Sequence, residues 1–162
     1  MNKTAASVAA LLLLCSTSFA SDPPARKEGL WLTHSEETEN PGNKQTEYTR
    51  KTCRSHPYDL YELALFERFS KCAVTDSVHG NVHESDYVCI LPGVKVNRKE
   101  VRTYQGDTTI HLESHATFSP GMNGVTEMTL VADDQYVGAC PPELQPGDMT
   151  NGDGKIHHLW IH

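Results

Sequence analysis

The sequence contains no phosphate-binding glycine loop, no dinucleotide fingerprint, no Gly-x-Ser-x-Gly and no His-Glu-x-x-His. That removes the familiar nucleotide-dependent enzymes, serine hydrolases and zinc peptidases. It has no Cys-x-x-Cys either, so its cysteines build neither a zinc ribbon nor a thioredoxin-like redox pair. No apolar run approaches the roughly 20 residues that a membrane-spanning helix requires. Lysine and arginine never cluster and the formal charge is −7, a poor match for nucleic acid or an anionic membrane surface. These absences put binding ahead of catalysis, and no cofactor is expected.

What is present begins with a leader. Residues 1–20 combine Lys3, an apolar run from Val8 to Leu14 and the small residues Ser18 and Ala20, the pattern of a secretory signal peptide cut after Ala20. Cys15 follows Leu14, which is not small, so lipid attachment is not expected. Residues 21–28 form a polar, proline-containing flexible lead. Residues 29–162 then suit a single domain with its own core. We expect a periplasmic or secreted location.

Cysteine counting agrees with export. Of five cysteines, four remain after the leader, and an even set in an exported chain reads as two disulfides. Gly80-Asn81 separates two β-prone runs and carries glycine where a type II′ turn needs it. Pairing His79 with Val82 sets Ser77 against Glu84, Val74 against Tyr87 and Cys72 against Cys89. The cysteines then fall on a non-hydrogen-bonded pair, with Cα atoms about 4.5 Å apart. Cys53 is left to take Cys140.

The rest of the chain alternates short strands and turns. Gly29 begins a strand that returns through the turn at residues 40–43 and the run Lys44 to Cys53. Pro57 to Phe69 is the one long helix, with proline near its start and Asp59 in its first turn. It carries two apolar stripes, Leu60, Leu63 and Ala64 on one side and Tyr58, Tyr61, Leu65 and Phe69 on the other. Taking Gly106-Asp107 as a two-residue loop pairs Thr103 with Ile110 and Val101 with Leu112. Val94 and Val96 are then out of phase with Val101, and a bulge near Asn97 to Lys99 is expected to restore the register. A short strand at Lys155 to Ile161 closes the chain. The expected architecture is mainly β with one helix, an antiparallel meander of seven or eight strands curled toward a half-open barrel.

Nine histidines invite a metal reading. His79 and His83, His111 and His115, and His157, His158 and His162 form groups, but each lacks the further ligands at fixed spacing that a specific site needs. No metal ligands are therefore assigned. Asn151 to Gly154 resembles a calcium loop only superficially: Met149 and Trp160 would fall where carboxylates are required, so the segment reads as a turn. Glu84, Asp86 and Glu113 show no spacing that singles out an acid/base pair. The candidate binding surface is aromatic: Trp31, Tyr58, Tyr61 and Phe69.

Lys-Glu-Gly-Leu-Trp at residues 27–31, Cys53, the Lys-Cys step at Cys72, Cys89, and Tyr-Val-Gly-Ala-Cys at residues 136–140 occur in an order that resembles domain-of-unknown-function family 3617, small exported bacterial proteins. Pro-Gly-Asp at residues 146–148 is similar too, whereas the charged, histidine-rich tail departs from the pattern. The resemblance implies a periplasmic, disulfide-bonded, mainly β protein and supplies no catalytic residues. The expected function is non-catalytic binding in the cell envelope, of a lipid-like ligand in an apolar cleft or of an envelope protein. The alternatives are an inhibitor of a lysozyme-like hydrolase and, last, a metal carrier or enzyme.

Overall fold

The described residues fold as two hairpin systems joined by one helix. The structure, a computed structural model, describes residues 25–69 and 71–158, without the side chains of 66–69. The leader, the first part of the lead, the Phe69 side chain and residues 159–162 lie outside the described residues. β1 (Gly29–Asn40) and β2 (Lys44–Arg54) form the first hairpin, and α1 (His56–Phe69) follows. Then come β3 (Cys72–His79), β4 (Val82–Leu91), β5 (Val94–Gln105), β6 (Thr109–Met122), β7 (Val125–Gly138), β8 (Asp148–Asn151) and β9 (Ile156–His158).

The nine strands make one antiparallel sheet in the order β3-β4-β5-β6-β7-β1-β2-β8-β9, curled but not closed. The meander thus ends by pairing β7 with β1, the first strand, which puts β1 inside the sheet. The strand beyond the eight expected is β8, four residues in a turn-rich segment that carries little strand pattern. Of the closing strand expected at Lys155 to Ile161, Ile156 to His158 are described as β9.

The central hairpin has the register that Gly80 dictates. His79 faces Val82, Ser77 faces Glu84, Val74 faces Tyr87 and Cys72 faces Cys89. Gly80 takes φ 63°, the left-handed value that glycine tolerates at the first turn position. Asn81 pins this turn to the next hairpin: its Nδ2 donates to the Tyr104 carbonyl at 2.9 Å, while the Tyr104 N–H donates to the Asn81 carbonyl at 2.8 Å. Both disulfides form, Cys72–Cys89 across β3 and β4 and Cys53–Cys140 with Cα atoms 5.6 Å apart. The second bond joins the ends of β2 and β7, the two strands that flank β1.

The β5–β6 hairpin corrects two expectations. Its loop has three residues, because Gln105 pairs with Thr109, and Thr103 therefore faces His111 rather than Ile110. A shift of one residue exchanges the two faces. Nor is there a bulge near Asn97 to Lys99: β5 keeps an unbroken register with both neighbours. Its inward residues are Val96, Arg98, Glu100, Arg102 and Tyr104, while Val101 and Thr103 lie on the other face. The phase problem arose from equating apolar with inward, whereas the middle of this strand points charge inward.

Trp31, Tyr104 and Ile110 form the buried cluster, with Tyr136 packed edge-on against Trp31 at 6.2 Å between ring centroids. Residues 26–28 hold this end of the sheet. Trp31 Nε1 donates to the Lys27 carbonyl at 2.8 Å, the Lys27 N–H donates to the Asp107 carbonyl at 2.9 Å, and Glu28 accepts the His56 N–H at 2.9 Å. Order therefore begins before Gly29. At Gly29 (φ 137°) a Cβ would collide with the Gly138 carbonyl and the Tyr136 ring, so the close approach of β1 to β7 requires glycine.

Candidate binding surfaces

Arginine and lysine are sorted by the fold. Among the described residues every lysine is exposed, and no arginine is. A guanidinium sheds water more readily than an ammonium and can serve several planar acceptors, which suits it to the inner face of a curled sheet. On β5, Glu100 is 1% exposed and lies between Arg98 and Arg102, both of which pair with it. Arg98 Nε also donates to Ser114 at 2.9 Å. On the neighbouring pair of strands, Ser85, which faces Glu100, donates to Asp76 at 2.5 Å, and His83 Nε2 lies 3.4 Å from the same carboxylate.

A second group of charges surrounds Trp31. Arg26 lies over its ring at 5.7 Å and 3.4 Å from Asp134, whose other oxygen accepts from Thr33 at 2.5 Å. Burial, reinforced by the nearby Arg54, lowers the Arg26 pKa. Arg54 donates to Asp59 at 2.8 Å and to Glu62 at 2.6 Å, and lies over the Tyr58 ring at 5.2 Å. Although burial alone would raise the Glu62 pKa, Arg54 lowers it on balance. Burial pushes the Tyr58 phenol up to about 12, with the Glu62 charge adding to the shift. Arg54 thus ties the end of β2 to the first turns of α1 by charge as well as by hydrogen bonds.

This arrangement decides how the helix sits. Ser55 accepts the Tyr58 N–H at 3.3 Å at the start of α1, and Arg54 binds the acidic residues one turn apart, Asp59 and Glu62. Tyr58 is consequently buried, at 3% exposure, and Tyr61 and Leu65 are half-buried. Of the aromatic set expected at the surface, Trp31 is core, Tyr58 is packed at the helix–sheet junction, and Tyr61 is partly covered. The stripe turned to solvent is the other one, Leu60 at 53%, Leu63 at 54% and the exposed Ala64. Sequence hydrophobicity alone did not distinguish the stripes; the Asp59 and Glu62 spacing after Arg54 was the usable signal.

The outer face is acidic and carries His34, His111 and His115. Glu47, Glu36, Glu113 and Glu84 fall in one row across the sheet, with Val131 and Val101 between them. In the next row His111 Nδ1 lies 2.7 Å from Asp133 and its Nε2 3.3 Å from Glu113. His115 Nε2 lies 2.5 Å from Glu127. His79 and His83 lie on opposite faces of their hairpin and share nothing. His158 Nδ1 lies 2.7 Å from Asp148. Among the described residues no three His, Cys, Asp or Glu side chains come together in a way that could hold a metal ion.

The inner face of the sheet is mixed, with Arg98, Glu100, Arg102, Ser85 and Ser114 crossing its middle. Among the described residues no helix is long and apolar enough to cross a membrane, and the two disulfides are compatible with an extracellular or periplasmic location. The described residues form a disulfide-bonded, open antiparallel sheet with one helix. Compared with known proteins, it matches no family model, no curated protein and no solved structure.

Proposed function

We propose that the protein is a non-catalytic interaction module of the bacterial cell envelope, exported by cleavage after Ala20 and docking a partner protein through α1. The observation that carries this reading is the stripe Leu60, Leu63 and Ala64, which faces solvent, while on the opposite side Tyr58 is buried and Tyr61 and Leu65 are half-buried. The charged inner face argues against an acyl chain as the ligand, because burying those groups against hydrocarbon carries a desolvation cost. The order of cysteines and of the motifs at residues 27–31 and 136–140 supports membership of domain-of-unknown-function family 3617.

Native mass spectrometry of material released gently from the periplasm tests the proposal. We expect a co-purifying protein, lost in a Leu60→Ser, Leu63→Ser variant whose thermal midpoint is unchanged. A lipid-sized adduct in place of a protein, or a partner retained by the double variant, overturns it. A stoichiometric zinc or copper mass that survives a weak chelator would favour the metal-carrier alternative.

The row formed by Glu47, Glu36, Glu113 and Glu84 favours a second reading, inhibition of a basic, lysozyme-like hydrolase. Affinity for such an enzyme would fall steeply with salt. Docking through Leu60 and Leu63 would not.

A further inference from the structure

β2 is paired with β1 along its whole length, but only Arg50, Thr52 and the residue between them meet β8 on the other side. Residues 44–49 therefore present a strand edge with no partner among the described residues. Natural sheets blunt such edges with proline, bulges or inward charge. Here the segment contains no proline, its register with β1 is unbroken, residues 44–49 are all exposed, and its charges are Lys44, paired with Glu39, and Glu47.

Two further observations fall at the same place. Where β8 leaves the sheet, Asn151 and Gly152 face Glu47, Tyr48 and Thr49 across a hollow of about 510 Å³. Arg50, directly opposite Asn151, differs from the other described arginines: no carboxylate pairs with it, and its buried Nε has no acceptor among the described residues. Its guanidinium lies 6.0 Å from the ring of Tyr48, which lines the hollow. β3 and β9 have free edges as well; the hollow and the orphaned Arg50 Nε both lie beside β2.

We propose that this edge is a strand-addition site for the extended C-terminal segment of a partner protein, with its terminal carboxylate held by Arg50. A guanidinium takes a carboxylate through two parallel donors, and an added strand supplies the acceptors and donors that the edge leaves open. For the carboxylate to reach Arg50 the peptide must run parallel to β2, from Lys44 toward Thr49, where Asn151 ends the slot. Tyr48 offers an apolar wall, and Glu47 favours a basic residue in the peptide. A polyacidic segment is a poor fit, because the chain is itself acidic, at −7. The site stands on observations separate from the helix stripe.

The probe is an N-acetylated hexapeptide of alternating valine and threonine with one lysine, made as the free acid, as the C-terminal amide, and as an amide ending in glutamate. Binding is read by calorimetry and by hydrogen exchange. The free acid should bind and protect amides within residues 44–49, and the amide should bind at least tenfold more weakly. Arg50→Gln should reduce the acid to the level of the amide and leave the amide unchanged, while Arg50→Lys recovers part of the difference. A melting curve like that of the parent confirms that both variants fold. Equal binding of acid and amide, no binding to the parent, protection elsewhere, or full binding by Arg50→Gln overturns the proposal. If the glutamate-ended amide matches the acid, recognition of a chain terminus is overturned.

Discussion

Glu100 and Arg102 lie two residues apart on β5, point to the same inner side and pair there, with Glu100 only 1% exposed. Removing the acid while keeping the two arginines leaves two half-buried positive charges without their partner, the costly way to break such a group. Glu100→Gln should destabilise the fold by about 3 kcal/mol, read as a lower urea midpoint at unchanged slope. A change within about 0.5 kcal/mol, the usual effect of a surface substitution, would show that the pairing is not formed in solution.

The disulfides are checked by digestion without reduction. Trypsin leaves Cys72 and Cys89 in one peptide, residues 72–95, because no Lys or Arg lies between them. That peptide should be two hydrogens lighter than its reduced form. Residues 52–54 should be found joined to residues 103–155, carrying the Cys53–Cys140 bond. Attachment of the short peptide to residues 72–95 would contradict the assignment.

Register in the central hairpin outweighs the identity of its turn. One extra residue between Gly80 and Asn81 would slip β3 along β4, move Cys72 away from Cys89, and carry Asp76 away from Ser85. The insertion should oxidise poorly and melt well below the parent. Asn81→Ser loses only the amide contact to the Tyr104 carbonyl and should cost about 1 kcal/mol. Similar melting and oxidation of the two variants would refute the pairing.

His111 gives a pH dependence whose sign is fixed. Its hydrogen bond to Asp133 raises its pKa, burial pulls slightly the other way, and Glu113 adds to the rise. A folded-state pKa above the unfolded value means stabilisation that is complete below about pH 6.5 and fades as the pH climbs through the folded value. Parent and His111→Asn should therefore differ most near about pH 5 and converge by about pH 9, where the imidazole is neutral in both states. A gap that widens with rising pH would contradict the pairing, as would an NMR titration of His111 with its midpoint below the ordinary range.

Much of the fold was legible where one residue type has one use. Gly80 fixed the central turn, and the turn fixed the cysteine pairing. Pro57 and Asp59 marked the start of the helix. Reading failed where inward positions carry charge: Arg98, Glu100 and Arg102 look like a solvated face, and only the partners brought by other strands reveal them as interior. Gly106-Asp107 fits a two-residue loop as well as a three-residue one, so the register of β6 was open by one step. The candidate surface was half legible. Both helix stripes could be seen in the sequence, but which one faces the sheet depends on Arg54 from β2 binding Asp59 and Glu62.

The interior place of β1 in the sheet also sets an order of assembly during synthesis. β1 and β2 leave the ribosome early and can pair at once, yet the other side of β1 waits for β7, and Trp31 waits for Tyr136. Cys53 emerges before Cys72 and Cys89, and its proper partner, Cys140, comes last. A hairpin closes in microseconds, far faster than a chain is elongated. Hairpin closure therefore holds Cys72 beside Cys89 early, so that oxidation after export, which takes seconds to hours, meets those two thiols already facing each other and leaves Cys53 to Cys140.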